Sequence, residues 1–150
     1  MSWKFKMREE ELETKYVLVV QEVEKAISGK MLKYFEIFEA GAINNIHAKL
    51  MEADSRFTVA EDWEGLAHAL DEYLRSIKLA SERVSRGLHN SEKGRIHILK
   101  AESGVSEREY RDLLRQIGGV DSSRDMVYWQ GMILIRALKR KKERKHGKAV

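Results

Sequence analysis

The chain of 150 residues contains no proline. No position therefore combines a missing backbone N–H with a locked φ, and helices can run for as long as their apolar faces find cover. The rest of the composition agrees. The chain is rich in Glu, Lys, Arg, Leu, Ile and Ala, which lose little side-chain freedom in a helix. An all-α fold is expected. There is also no cysteine, so disulfides and thiolate metal sites are excluded. A chain of this length buries roughly 70% of its unfolded surface, enough for one core or two small ones without a covalent staple.

Apolar spacing predicts three longer helices in the first ninety residues. Leu12, Tyr16, Val19, Val20, Val23 and Ile27 form one stripe, stopped at Ser28-Gly29. Leu32, Phe35, Phe38, Ala42, Ile46 and Leu50 imply a second helix from about Met31 to Ala53, with Gly41 a weak point inside it. The short link predicts an antiparallel pair. Thr58-Val59-Ala60-Glu61 has the form of a capping box, which places the start of a third helix near Val59. Its stripe runs from Trp63 to Leu88, with Gly87 and Asn90 as the stop.

Charge then divides the chain. Residues 1–90 hold 13 Lys and Arg against 16 Asp and Glu, whereas residues 91–150 hold 15 against 8. Such asymmetry marks a division of labour, so two domains are expected, 1–90 and 91–150, joined at Asn90 to Gly94. The second reads as three short helices. Arg95 to Glu102 ends at Ser103-Gly104, and Ser106 to Glu109 caps a helix with Tyr110, Leu113, Leu114 and Ile117 on its inner face, ending at Gly118-Gly119. Ser122 to Asp125 caps a third, with Met126, Trp129, Met132, Ile133 and Leu138 inward, running on into a basic tail.

The stretch RIHILKAESGVSEREYRDLLRQIGGVDSSRDM resembles the opening region of the GemA family, regulatory proteins of Mu-like bacteriophages. The matching positions are Arg95, Ile96, His97, Ile98, Gly104, Val105, Ser106, Glu109, Tyr110, Arg111, Leu113, Leu114, Gly118, Ser122, Ser123, Asp125 and Met126. A similar helical module stands at the C-terminus of some phage single-strand annealing proteins. The resemblance covers about 95–138. It implies a compact three-helix module, a phage or prophage origin, and an accessory role near DNA transactions or host gene expression. In GemA proteins the pattern stands near the N-terminus with another domain after it, whereas here it comes last, so that other domain's role does not transfer. Most of the matched positions also have a structural reason to exist, as caps, stops or core.

The functional weight falls on flanking charge. Arg136, Lys139, Arg140, Lys141, Lys142, Arg144, Lys145 and Lys148 face one acid, Glu143, across the tail. Such a run can neutralise several phosphates, giving affinity that falls with salt and carries no sequence information. The competing reading is a solvated helix end that complements the helix dipole. Arg95, Arg111 and Arg124 are weaker nucleic-acid candidates on the module itself. Tyr128, Trp129 and His97 could stack on bases, although aromatics at helical spacing usually belong to a core.

Other chemistry has less support. Glu64 and His68 are four apart on one helix face, but no second pair of ligands follows, so neither a metal nor another cofactor is expected. His47 reads as a half-buried spacer and His146 as part of the tail. Arg83-Val84-Ser85-Arg86-Gly87-Leu88-His89 is similar to the Arg…His motif of HEPN ribonucleases, with Val84 where a polar residue is usual. It implies metal-independent RNA cleavage as a distant alternative. Gly118-Gly119 lacks the strand and Lys-Ser/Thr of a phosphate loop. The expected protein is not an enzyme.

The apolar runs Tyr16 to Val20 and Met132 to Ile135 are too short to span a bilayer, and no signal-peptide pattern appears. A cytoplasmic protein is expected, in the host cytoplasm if phage-encoded, with no membrane and no small-molecule substrate evident. Self-association through residues 1–90 is a further expectation, with Phe35, Phe38, Trp63 and Tyr73 as anchors. A helical adaptor that binds only protein is the rival to the nucleic-acid reading.

Overall fold

The computed structural model describes residues 2–147. The protein is all-α, and the described residues form seven α-helices and one short 3₁₀ turn. The helices are α1 (Ser2–Ala26), α2 (Gly29–Phe38), α3 (Ala40–Ala60), α4 (Trp63–Val84), α5 (Asn90–Ser103), α6 (Glu107–Gly118) and α7 (Tyr128–Gly147). Among the described residues there is no strand, only one antiparallel bridge between Gly87 and Val127. None of these helices is long and apolar enough to cross a membrane.

The chain divides into two compact units, Met1–Glu82 and Arg83–Val150. The division lies eight residues before the expected one, and it sharpens the charge contrast. The first unit carries 11 Lys and Arg against 16 Asp and Glu, the second 17 against 8.

In the first unit, the second helix expected over 31–53 is two helices. They part at Glu39, whose backbone lies at φ −142° and ψ 43°. The Tyr34 hydroxyl donates to the Glu39 carboxylate at 2.6 Å, and the Glu39 N–H still caps α2 on the Phe35 carbonyl. Gly41 is not the break. The turn lets Tyr34 and Phe35 of α2 and Ile43 of α3 all be buried, so packing overrides propensity here.

The expected capping box at Thr58 is likewise displaced. Thr58 lies inside α3 with its hydroxyl donating back to the Asp54 carbonyl, a common fate for threonine within a helix. Helix α3 ends when Glu61 turns left-handed at φ 51°, and Asp62 caps α4 by accepting from the Gly65 N–H at 2.9 Å. A Cβ at Gly65 would stand 2.2 Å from an Asp62 carboxylate oxygen, so a larger residue there would displace the capping side chain. Phe57 meets Trp63 edge to face at 4.7 Å across the link. Asp62→Ala should lower stability by about 1 kcal/mol, read as a shift in the urea midpoint at constant slope.

Helix α1 runs parallel to α4. Lys15 pairs with Asp71 at 2.8 Å, Lys78 with Glu22 at 3.6 Å, and the Ser81 hydroxyl donates to the Ala26 carbonyl at 2.7 Å. Helix α3 runs antiparallel to α4, as Phe57–Trp63 and His47–Tyr73 show. The core includes Val19, Met31, Tyr34, Phe35, Ile43, Leu66, Leu70 and Ile77.

At the start of the second unit, helix α4 stops at Val84 rather than continuing to Leu88. The segment after it is held by Arg86. The guanidinium makes two parallel bonds to Glu92 at 3.0 Å, lies 4.3 Å from the centre of the Tyr128 ring, and donates to the Gly87 carbonyl. The Arg86 carbonyl accepts from the Tyr128 N–H at 2.7 Å. Glu92 also accepts from the His89 N–H at 2.7 Å, which caps α5 at Asn90. The expected joint is thus the first turn of a helix.

The Arg86 guanidinium holds the Glu92 carboxyl below its ordinary value of 4.5, with the His89 N–H adding to the effect against partial burial. A carboxyl lowered by folding stabilises the native state fully above its unfolded pKa. That stability is lost as pH falls below about 4.5 and through the lower folded value. Glu92→Gln should therefore be less stable than the parent at pH 7 by about 1–3 kcal/mol, and the gap should narrow progressively as pH falls below about 4.5. A gap that persists in acid would show that the ion pair is not its source.

Expected stops and caps recur further on. Gly104 and Gly119 take left-handed φ of 68° and 62°, and the Ser106 hydroxyl accepts from the Glu109 N–H. Ser122 caps the 3₁₀ turn Ser123–Asp125 instead of the last helix. Helix α7 begins at Tyr128, where the Gln130 side chain accepts from the Val127 N–H at 3.1 Å. Helices α5 and α7 form the main packing of the unit. Leu88, Ile96, Leu99, Tyr110, Leu114, Met126, Leu134, Ile135 and Leu138 form its core. Leu134 and Ile135 are buried in addition to the expected residues; Met132 is half-buried and packs against this core, and Ile133 is half-buried.

Candidate nucleic-acid interface

The basic tail is a continuation of α7, helical to Gly147. Lys148 lies outside the described residues. A helix turns about 100° per residue, so residues spaced three and four apart share a face, and the cations of α7 fall into two groups.

The first group, Lys141, Lys142 and Lys145, continues the buried line of Leu134 and Leu138. Lys141 pairs with Glu109 of α6 at 3.4 Å, and Lys142 pairs with Glu102 of α5. The Lys145 ammonium stands over the C-terminal end of α5, 2.6 Å from where a Gly104 Cβ would be, a position favoured by the helix dipole. Glu109 is held below the ordinary carboxylate range, first by the Ser106 N–H and then by Lys141. These three cations are spent largely on their own module.

The second group is Arg136, Lys139, Arg140 and Arg144, spaced three and four along the opposite side of α7. Arg136 is half-buried and the others are exposed. None of the four makes an ion pair among the described residues. From Arg136 to Arg144 the ridge spans about 12 Å. Duplex DNA presents one charge per about 1.7 Å of axis, so several phosphates lie within reach of such a ridge. Glu143 stands beside it as the single acid of the tail.

The module's other expected contacts are separate. Arg95 is exposed on α5 and Arg111 on α6. Arg124 is exposed in the 3₁₀ turn, and its Nε donates to the Ser122 hydroxyl at 3.4 Å. Helix α6 adds two residues that sequence reasoning missed. Arg108 and Arg115 are exposed at the same face as Arg111, with Arg115 paired to Asp121 at 3.3 Å. The spacing 108, 111, 115 was the available signal. Of the aromatic candidates, Trp129 is buried and Tyr128 lies under Arg86, so neither is free to stack on a base, while His97 is exposed.

The remaining candidates are dispersed. Glu64 and His68 are exposed, and among the described residues no group of three or more His, Asp or Glu is placed to hold a metal ion. His47 is exposed, with its Nδ1 3.2 Å from the Tyr73 hydroxyl. Arg83 lies in the last turn of α4 and His89 caps α5, so the two do not share a helix face. Of the expected self-association anchors, Phe35 is fully buried, Phe38 stacks on Tyr34, and Trp63 and Tyr73 pack on Phe57 and His47. Comparison with known protein families, curated proteins and solved structures finds no match.

Proposed function

We propose that the chain is a non-enzymatic accessory protein that binds nucleic acid through phosphate contacts made by its C-terminal unit. The observation that carries this reading is the ridge of Arg136, Lys139, Arg140 and Arg144, four cations at helical spacing without an acid partner among the described residues, in a unit with 17 Lys and Arg against 8 Asp and Glu. Cations engaged at home by Glu102 and Glu109 make poor phosphate ligands, since each must first give up an existing partner. The unpaired ridge has no such cost. Arg108 and Arg111 are secondary contacts. The resemblance of residues 95–138 to the GemA family is a second support, and it favours a phage or prophage setting and a regulatory role.

The test is fluorescence anisotropy with labelled duplex DNA and with structured RNA, each at several salt concentrations. Wild type is compared with a variant in which the four ridge residues are glutamine and with one in which only Lys141 and Lys142 are glutamine. Loss confined to the ridge variant supports the reading. Equal losses in both, or wild-type affinity that does not respond to salt, would exclude it.

A further inference from the structure

The first unit contains an apolar groove with no role in the nucleic-acid reading. Its walls are α1 and α3 and its floor is α4, and it encloses about 520 Å³. Leu66 and Leu70 of the core form the floor. On the walls stand Tyr16 and Val17 of α1, which are 56% and 53% exposed, and Met51 of α3, which is 64% exposed. Val20, one turn beyond Tyr16, is also exposed. Helix α1 is therefore apolar over a wider arc than its own unit covers. Val19 faces inward, and Tyr16 and Val20 lie on the adjoining, uncovered side.

The charged groups in the lining are both acidic. Glu13 and Asp54 stand on opposite walls, and no Lys or Arg is among the lining residues. Glu9 and Glu24 lie along α1 on the same side as Glu13, at helical spacing.

We propose that this groove docks a basic amphipathic α-helix of a partner protein. Its apolar residues at positions i, i+3, i+4 and i+7 would lie over Leu66 and Leu70 between Tyr16 and Met51, as in other helix-in-groove interfaces. Its flanking Lys and Arg would meet Glu13 on one wall and Asp54 on the other. Charge decides against a second α1 as occupant, and the apolar face of the chain's own basic helix, α7, is already buried at Leu134, Ile135 and Leu138. A second α1 would bring Glu9, Glu13 and Glu24 against Glu13 and Asp54, and like charges facing across an interface oppose association. The apolar floor gives affinity and the carboxylates select a basic partner.

The proposal is independent of nucleic-acid binding, and its test uses different residues. The probe is a synthetic fluorescein-labelled amphipathic peptide with leucine at helical spacing and lysine on both flanks. A second peptide carries the same leucines flanked by glutamate. The basic peptide should bind the full-length wild type in preference to the acidic one. Met51→Lys and Val17→Lys, both at side chains more than half exposed, should weaken that binding about tenfold or more with unchanged circular dichroism. Glu13→Lys combined with Asp54→Lys should reverse the preference between the peptides. Equal binding of the basic peptide to wild type and to both single variants would overturn the proposal, as would failure of the double variant to change the preference. A wild-type dimer that Val17→Lys converts to monomer in sedimentation equilibrium would overturn it in favour of self-association.

Discussion

With Arg136, Lys139, Arg140 and Arg144 all replaced by glutamine, affinity for duplex DNA at 0.1 M salt should fall by about two to three orders of magnitude. The figure follows from counterion release. Each phosphate neutralised contributes about 0.9 to the slope of log affinity against log salt. Leaving four phosphates without their cation would flatten that slope by about 3.6, and Arg136, half-buried, and the neighbouring Glu143 bring the practical figure nearer to about three phosphates. Raising salt fourfold should therefore narrow the difference between wild type and variant by about fortyfold. Glutamine at Lys141 and Lys142 should have a smaller effect, because those ammonium groups already face Glu109 and Glu102. The slope is the decisive reading. If the ridge variant loses affinity with no change in slope, these residues support the fold rather than contact phosphates.

That division within the tail shows where sequence reasoning reaches its limit. The all-α class and several helix stops and caps were legible because they depend on neighbours in the chain: Gly104 turning left-handed, and Ser106 accepting from the N–H three residues on. The partners of Lys141 and Lys142 lie 32 and 40 residues away. They depend on the register of α7 over α5 and α6, which no local pattern specifies. In the first unit, Thr58 and Asp62 are both good cap residues, and local pattern alone does not choose between them. The structure carries α3 on to Ala60, where Glu61 turns left-handed and Phe57 packs on Trp63. The break at Glu39 is similar in kind, since a hydrogen bond from Tyr34 and the burial of Phe35 accompany it where composition favours a continuous helix. Arg108 and Arg115 are a different case. Their spacing with Arg111 was visible, but a row of arginines on a helix gains meaning only once the face it occupies is known to be outward.

Leu134→Ala should be the most destabilising single change in the C-terminal unit, at about 2–5 kcal/mol, because a fully buried leucine leaves a cavity that its neighbours only partly fill. Leu134 has no exposed surface and lies among Ile96, Leu114 and Leu138. For a unit of this size each kcal/mol corresponds to about 4–8 °C in melting temperature, so the expected shift is on the order of 10 °C or more. The informative comparison is Ile98→Ala. Ile98 is among the positions that carry the GemA resemblance, whereas Leu134 is not. Yet Ile98 is 59% exposed on α5, and its truncation should cost no more than about 0.5 kcal/mol. Hydrogen exchange at the amides of α5, α6 and α7 gives the measurement, since a core cavity accelerates exchange across all three helices and a surface truncation does not. A large effect at Ile98 with intact nucleic-acid binding would place an apolar contact on that face of α5. An equally small effect at Leu134 would mean that α7 does not pack through this residue, and the outward ridge of Arg136, Lys139, Arg140 and Arg144 would lose its basis, because the same helical register sets both faces.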